Sequence, residues 1–225
     1  PDEVDAAVIA VPSIAVPGLI EELGVHGTKL AIIISSGFRE LGDEGRRMEE
    51  TIRDTARKRG MRIVGPNCLG IVLPHLKINT TFDPTTPRKG NIGFISQSGA
   101  VITAIVDWSV PEEIGFSVIF SVGNQVDLGF IEFIRFAAAE PETRVIILYI
   151  EEIKEGVSFF HELKEITKFI PVITLKSGSS THGKKAAASH TGSLAGDYEV
   201  YQAALTQAGA IPVFSLREAF DVAEL

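Results

Sequence analysis

The sequence has a single cysteine, Cys68, no apolar run long enough to span a membrane, and no excess of positive charge. One cysteine excludes an internal disulfide, so we expect a reducing compartment such as the cytoplasm. The longest apolar runs, such as residues 145–150, are far shorter than the ~20 residues of a membrane-spanning helix. The net charge of −8 argues against a nucleic-acid-binding surface, which needs clustered Lys and Arg.

The beginning of the chain lacks both an initiator methionine and a signal-like stretch. Pro1 is followed after a few residues by the apolar run 7–11, and this abrupt start predicts a fragment or a trimmed subunit. Because 45% of the 225 residues are hydrophobic, we expect a sizeable core in one large or two modest domains.

Short apolar runs alternate with amphipathic helical patterns along the chain. The apolar runs predict strands covered on both faces, at residues 7–11, 30–34, 62–64, 92–95, 116–120, 144–150, 171–175 and 211–214. Helices are predicted at residues 43–59, 99–108, 127–139 and 197–208, the third of them capped by Asp127. Strand–helix alternation with short connections indicates parallel sheets, so the predicted fold class is α/β.

Residues 79–90 interrupt the alternation with two prolines and four threonines, a composition typical of a linker. We therefore predict one domain at residues 1–88 and a second at residues 89–225. The first contains only two convincing strand–helix units, so we expect further strands upstream of it.

Two small and polar turns follow predicted strands, where parallel sheets bind their ligands. In residues 96–100 (Ser-Gln-Ser-Gly-Ala), small side chains leave backbone amides accessible, and the dipole of the following helix favours an anion. The alternatives are a simple Ser98 helix cap and a nucleophile elbow, although the elbow's preferred glycine is absent. Residues 121–127 form the second turn, which is either a further set of amides or an ordinary loop.

Two later segments carry titratable groups. Glu151 and Glu152 end the strand 144–150, where one carboxylate could orient an imidazole, or both could be solvated. Residues 177–196 form a long loop of small residues that contains His182 and His190, and loops of this length are usually functional or disordered. A near P-loop at residues 178–185 lacks the Ser or Thr that holds Mg²⁺. No cluster has the spacing of metal ligands, so no metal site is expected.

Three motifs occur in series: Gly-Pro-Asn-Cys-Leu-Gly at residues 65–70, Gly-Phe-Ile-Ser-Gln-Ser-Gly at residues 93–99 and Ser-His-Thr-Gly-Ser at residues 189–193. Together they resemble the α subunit, or α-like half, of ADP-forming acetyl-CoA synthetases, relatives of succinyl-CoA synthetase. The resemblance covers essentially the whole chain. It implies a truncated Rossmann-like CoA-binding domain followed by a flavodoxin-like parallel-sheet domain.

The resemblance also implies roles for individual residues. His190 would become phosphorylated, and Glu152 rather than Glu151 would orient it. Implied phosphate-binding residues are Ser96, Ser98, Gly99, Gly123 and Asn124. Implied CoA-binding residues are Val11, Pro12, Ser13, Ile34, Ser35 and Ser36.

The implied reaction converts acyl-CoA, ADP and phosphate into acid, CoA and ATP, through an acyl phosphate and a phosphohistidine. The chain contains no ATP-grasp segment, so ADP or ATP with its Mg²⁺ is expected on an ATP-grasp β subunit or a fused domain, in an oligomer. The sequence does not specify the acyl group or distinguish ADP from GDP. The alternatives are a non-catalytic CoA-responsive regulatory module of an acyltransferase fusion, and a hydrolase that uses Ser98 and His190.

Overall fold

The structure, a computed structural model, describes residues 4–178 and 198–225. The strands are β1 (Ala6–Ile9), β2 (Leu30–Ile33), β3 (Arg62–Val64), β4 (Ile71–Leu73), β5 (Ile78–Asn79), β6 (Arg88–Ser96), β7 (Gly115–Ser121), β8 (Val145–Ile150), β9 (Val172–Lys176) and β10 (Ile211–Val213). The α-helices are α1 (Val16–Val25), α2 (Asp43–Lys58), α3 (Gly99–Ser109), α4 (Phe130–Ala139), α5 (Gly156–Ile166), α6 (Tyr198–Gln207) and α7 (Leu216–Ala223).

The first sheet has three parallel strands in the order β1-β2-β3. Helices α1 and α2 bury Ile20, Ile52 and Ala56 in the core that covers this sheet. Helix α2 begins with Asp43 and Glu44 and ends with Arg57 and Lys58. This distribution of charge stabilises the helix dipole at both ends.

The second sheet has seven strands in the order β10-β9-β8-β6-β7-β4-β5, and the five from β10 to β7 run parallel. Helices α4, α5 and α6 contribute to the apolar core on one face, and α3 and α7 contribute to the core on the other. The inner strands are therefore buried on both sides, as their continuous apolar sequences require. This doubly covered parallel sheet confirms the predicted α/β class.

Strands β4 and β5 differ from the predicted pattern. They pair antiparallel, and β4 continues the larger sheet by pairing antiparallel with β7. Residues 79–90, predicted as an interdomain linker, connect two strands of this same sheet. The division between the two sheets falls between β3 and β4, so the boundary proposed at residue 88 does not coincide with it.

The two sheets are joined by an extended backbone pairing that we call the junction, in which residues 124–128 run beside residues 63–66. Amides of Asn124, Val126 and Leu128 donate to the carbonyls of Pro66 (2.8 Å), Gly65 (3.0 Å) and Ile63 (3.1 Å). The core of the larger sheet also includes Ile32 and Val64 of the smaller one. The chain thus holds the carboxyl ends of both sheets close together.

The predicted Asp127 cap is wrong. Gly129 precedes α4, and the Glu132 carboxylate accepts from the Gly129 amide at 2.9 Å. Asp127 instead accepts from the Arg62 guanidinium (2.8 Å) and from the Ile63 amide (3.0 Å) across the junction. Asp127 does lie shortly before α4, but its carboxylate binds Arg62 and the Ile63 amide, which are distant in the chain, and does not cap the helix.

Candidate active-site cleft

The turn between β6 and α3 has the geometry of an anion site. Ser98 is the N-cap of α3, and its Oγ accepts from the Val101 amide at 3.3 Å. Among the described residues, the amides of Gly99 and Ala100 have no acceptor, because the first amides of a helix lack intrahelical partners. Such amides and the positive end of the helix dipole favour an anion at this turn.

Ser96 supports this turn from inside. It is fully buried, and its Oγ accepts from the Ser98 amide (3.1 Å) and donates to the Ser98 carbonyl (2.9 Å). The hydroxyl therefore fixes the backbone of Ser98. In this structure Ser96 shapes the turn, while Ser98 and Gly99 form its surface.

Gln97 links this turn to the acidic end of β8. Its Oε1 accepts from the amides of both Glu151 (2.5 Å) and Glu152 (2.8 Å), and its own amide donates to the Tyr149 carbonyl at 3.2 Å. One neutral side chain thus fixes the position of both carboxylate-bearing residues relative to the start of α3.

The two glutamates have different surroundings. Burial, together with the Glu151 carboxylate, raises the pKa of Tyr149. Glu152 instead acts on Lys154, where its charge favours the ammonium. Both are partly exposed. The choice of Glu152 over Glu151 as the orienting carboxylate stays a prediction.

Gly123 and Asn124 lie where the junction meets this edge of the sheet. Gly123 has a φ of +58°, and a Cβ there would overlap the Pro66 carbonyl oxygen and lie 2.9 Å from that of Asn67. The Asn124 side-chain amide donates to Glu40 (2.9 Å) and to the buried Glu49 (2.7 Å). Since the Asn124 amide group is occupied by these two carboxylates, its predicted contact with phosphate stays a prediction.

Lys154 contributes an ammonium group whose pKa is lower than that of an ordinary lysine. Its Nζ donates to the carbonyls of Asn124 (2.5 Å) and Gln125 (2.8 Å). Although Lys154 is exposed as a residue, these groups enclose its ammonium. Desolvation, with a smaller contribution from the nearby Arg39 guanidinium, lowers the Lys154 pKa to about 8.

The predicted CoA-binding residues also come together at the carboxyl edge of the first sheet. Val11, Pro12 and Ser13 follow β1, and residues 34–36 follow β2. The Ser35 hydroxyl donates to the Val11 carbonyl (2.5 Å) and accepts from the Val11 amide (3.1 Å), which fixes the two segments to each other. Their contact with CoA stays a prediction.

Several of the groups described above, but not the predicted CoA-binding residues, line one open cleft, which we call the carboxyl-edge cleft. It is lined by Arg39, Glu40, Asn67, Gln97, Gly123, Asn124, Gln125, Glu151, Glu152 and Lys154. The predicted Glu152, Gly123 and Asn124 line it directly, and Ser98 and Gly99 adjoin it through Gln97. His190, with most of the loop predicted at residues 177–196, lies outside the described residues.

Sequence reasoning missed three polar residues at this edge: Gln97, Lys154 and Lys176. Lys176 is the last residue of β9 and is only 4% exposed, with its Nζ 4.9 Å from the centroid of the Tyr201 ring. The sequence did contain a signal for Lys176, because this lysine directly continues an apolar run predicted to be a buried strand. Lysine is almost never fully buried unless it is paired.

Across residues 4–178 and 198–225, no three His, Cys, Asp or Glu side chains converge as metal ligands do. Within the same ranges, no helix combines the length and apolar character that crossing a membrane requires. Cys68 is buried, and desolvation raises its pKa to about 12. A thiol of this kind is unreactive at neutral pH.

Comparison with protein families matches the chain in two parts. Residues 89–225 match the succinyl-CoA ligase-like flavodoxin domain. The chain belongs to the succinyl-CoA ligase-like family. Residues 1–74 match a CoA-binding domain, so this family member is an α/β chain with a CoA-binding domain followed by a flavodoxin-like domain. The resemblance stated from the three motifs is confirmed.

Individual relatives in the family are considerably longer. The α subunit of acetate–CoA ligase [ADP-forming] I from Pyrococcus furiosus is 48% identical over 98% of this chain and 48% of its own length. The 4-hydroxybutyrate–CoA ligase [ADP-forming] of Nitrosopumilus maritimus is 41% identical over 99% of this chain and 32% of its own length. The chain thus spans between a third and a half of these relatives.

A solved structure agrees closely with the fold. It is the dinucleotide-forming acetyl-coenzyme A synthetase 1 of Ca. Korarchaeum cryptofilum in complex with phosphate and ADP. The match has a TM-score of 0.93 and 41% sequence identity, and it covers 98% of this chain and 48% of that one. The similarity therefore includes both sheets.

Proposed function

We propose that this chain is the α part of an ADP-forming acyl-CoA ligase. The net reaction is acyl-CoA, ADP and phosphate to acid, CoA and ATP, and it is reversible. The observation that carries the proposal is the edge of the carboxyl-edge cleft, where Gln97 joins the start of α3 to the backbone of Glu152. At that start the amides of Gly99 and Ala100 have no acceptor among the described residues. An anion site next to a carboxylate suits phosphoryl transfer to an imidazole.

The reaction proceeds in three balanced steps. Phosphate attacks the thioester carbonyl, and the C–S bond breaks to give acyl phosphate and CoA thiolate, which takes up a proton. The neutral imidazole of His190 then attacks phosphorus, which releases the carboxylate of the acid. Finally ADP attacks the phosphohistidine, and ATP forms as the P–N bond breaks.

The residues of the chain have distinct roles in this scheme. Glu152 accepts a hydrogen bond from the ring nitrogen of His190 that does not react, and so fixes the tautomer. The α3 amides stabilise negative charge on the transferring phosphoryl group, because they are already oriented before the charge develops. Ser98 preserves this orientation by capping the helix.

The remaining substrates are proposed to bind on both sides of the cleft. CoA lies along the segments after β1 and β2, which the Ser35 hydroxyl joins. ADP and its Mg²⁺ belong to an ATP-grasp β subunit or fused domain, which forms a complex with this chain. The names of the relatives, an acetate–CoA ligase α subunit and a 4-hydroxybutyrate–CoA ligase, support this class of substrates.

The direct test is labelling with [γ-³²P]ATP in the presence of the ATP-grasp partner, in wild type and in His190→Ala. We expect an acid-labile label in wild type and none in the variant, with His182→Ala labelled as wild type. An acid-labile label that persists in His190→Ala contradicts the assignment.

The role of Glu152 requires a separate measurement. We expect Glu152→Gln to slow single-turnover phosphorylation of His190 while the protein remains folded, because the amide stabilises the imidazole less than a carboxylate does. Glu155→Gln is the matched control, since Glu155 lies outside this cleft. Equal single-turnover rates in the two variants contradict an orienting role for Glu152.

A further inference from the structure

Lys176 carries a buried charge that the scheme above does not use. It ends β9 with 4% of its surface exposed. Its Nζ donates to the Ser177 carbonyl at 2.7 Å and lies 4.9 Å from the centroid of the Tyr201 ring. Neither of these partners carries a negative charge. Burying an ammonium is costly, so a fold that retains one at its ligand-binding edge invites a functional explanation.

The sheet places Lys176 beside the two glutamates. Ile150 and Lys176 are partners in the parallel register of β8 and β9, so their side chains lie on the same face of the sheet. Glu151 and Glu152 follow Ile150 directly. Both carboxylates favour the charged form of Lys176, although burial has the larger effect and lowers its pKa.

Tyr201 of α6 fixes this arrangement. Its hydroxyl oxygen accepts from the Ile153 amide at 3.4 Å, one residue after Glu152, while its ring faces the Lys176 ammonium. A cation over an aromatic face is attracted by the ring quadrupole. The ammonium is thus held beside the acidic turn by a residue that also binds the backbone of that turn.

The electrostatic consequence concerns the incoming phosphoryl group. A phosphate dianion that enters the carboxyl-edge cleft meets the carboxylates of Glu151 and Glu152, and like charges repel strongly in a partly desolvated site. The α3 amides supply only partial positive charge. Of the cations that line the cleft, Arg39 pairs with Glu49, and the Lys154 ammonium donates to two backbone carbonyls. A full positive charge beside the carboxylates offsets this repulsion.

We propose that Lys176 is a positioning residue that offsets the charge of Glu151 and Glu152, so that a phosphoryl dianion is accepted next to Glu152. The inference rests on the proposed function and adds a determinant of phosphate affinity to it. We expect Lys176 to affect the binding of the negatively charged phosphoryl group and to have little effect on the binding of CoA.

The test uses the full-length protein with its ATP-grasp partner and the variants Lys176→Met and Lys176→Arg. The control is Lys168→Met, because Lys168 is exposed and pairs with Glu165 on the surface of the same domain. We expect Lys176→Met to raise the KM for inorganic phosphate about tenfold or more. The KM for acyl-CoA should change less than about threefold, the arginine variant should restore most of the phosphate affinity, and Lys168→Met should behave as wild type.

A pH profile distinguishes charge from packing. Among the described residues, the groups that act on the Lys176 ammonium are the charges of Glu151 and Glu152 after β8 and the Tyr201 ring of α6, and the Glu151 charge also acts on Tyr149. Because burial lowers its pKa, Lys176 loses its proton at a lower pH than an ordinary lysine. Because the Lys154 pKa is lowered to about 8, both proteins are compared in a Lys154→Arg background. We expect Lys176→Arg to move the alkaline limb of kcat/KM for phosphate to higher pH, and Tyr149→Phe to leave that limb unchanged.

Each outcome has a distinct meaning. A folded Lys176→Met protein with a KM for phosphate within about twofold of wild type overturns the inference. If that variant does not fold, an alkaline limb that is the same with and without Lys176→Arg in the Lys154→Arg background overturns it instead. A wild-type complex that forms no phosphohistidine contradicts the proposed function itself, and the inference with it.

Discussion

The junction and the carboxyl-edge cleft share residues 124 and 125, yet their polar groups differ in whether they have hydrogen-bond partners. In the junction, the amides of Asn124, Val126 and Leu128 all have backbone acceptors, and the Asn124 side chain binds two carboxylates. In the adjoining cleft, the amides of Gly99 and Ala100 have no acceptor within the described residues. Polar groups that have hydrogen-bond partners within the protein stabilise the fold, whereas oriented groups without such partners are available to bind a ligand.

This difference in hydrogen bonding separates the region that holds the two sheets together from the region proposed to bind the phosphoryl group. Extensive hydrogen bonding in the junction keeps the two sheets in a fixed relation, so the exposed donors next to it are presented without reorganisation. Substitutions in the junction should therefore reduce stability first, and substitutions in the cleft should reduce activity first. The following predictions test that separation, from the largest expected effect to the smallest.

Gly123→Ala should cause the largest loss of stability. The new Cβ would overlap the Pro66 carbonyl oxygen, and alanine disfavours the φ of +58°. We expect the free energy of unfolding to fall by about 3 kcal/mol. Gly18→Ala is the control, since its Cβ meets nothing within 4 Å in helix α1, and it should gain up to about 1 kcal/mol. Urea unfolding curves that coincide for the two variants contradict the close packing at Gly123.

Glu49→Ala should be the next most damaging. The carboxylate is buried and accepts from Arg39 Nε (2.9 Å) and from Asn124 Nδ2 (2.7 Å). Its removal leaves those donors without this acceptor, so we expect a loss of about 2 kcal/mol in thermal or urea unfolding. Glu50→Ala, at the exposed neighbouring position, should change stability by less than about 0.5 kcal/mol. A Glu49 variant as stable as the Glu50 variant would show that the network contributes nothing.

The two residues of the Arg62–Asp127 ion pair should contribute differently to the free energy of unfolding. Asp127 is 7% exposed and also accepts from the Ile63 amide, whereas Arg62 is half exposed. We expect Asp127→Ala to lose about 1.5 kcal/mol because it leaves that amide unpaired. Arg62→Ala should lose less than about 1 kcal/mol, as is usual for an exposed ion pair. Equal losses in chemical denaturation would mean that the amide contact is unimportant.

The smallest stability effect compares two helix caps. Ser98 caps α3 at the cleft, and Ser215 caps α7, where its Oγ accepts from the Glu218 amide at 3.1 Å. Each serine-to-alanine change should lower stability by about 1 kcal/mol. Under the proposed function, Ser98→Ala but not Ser215→Ala should also lower kcat, because α3, unlike α7, directs its amides at the phosphoryl group. Equal kcat values in both variants contradict that role for α3.

The regular part of the fold could be predicted because its strands are nearly continuous apolar runs. Strand β3 has the predicted bounds, residues 62–64, and β8 begins one residue after its predicted start. Strands β4 and β5 were missed because no α-helix separates them from β3 or from each other, so they break the strand–helix alternation, and β4 depends on antiparallel pairing with the distant β7. Asp127 was assigned to a local cap because sequence spacing reveals local partners and not the distant Arg62.

The site could be predicted only in part. The turns of small residues after β6 and β7 do lie together at the carboxyl edge of the sheet, since that placement follows from parallel topology; ligand binding there stays a prediction. Gln97 and Lys176 were missed because their roles depend on neighbours more than twenty residues away in the chain: Gln97 on residues 54 and 55 positions further along, and Lys176 on the register with β8. Such pairings arise from the order of strands, which composition does not determine.

The Gln97 side chain has a further consequence for how this site can change. It sets the separation between the start of α3 and the acidic turn through one amide oxygen that bridges two adjacent strands. The spacing between anion site and carboxylate is therefore adjustable by one residue, without rebuilding the sheet. Shortening this side chain by one methylene, as in Gln97→Asn, therefore changes the distance between the start of α3 and the acidic turn and leaves the pairing of β6 with β8 in place.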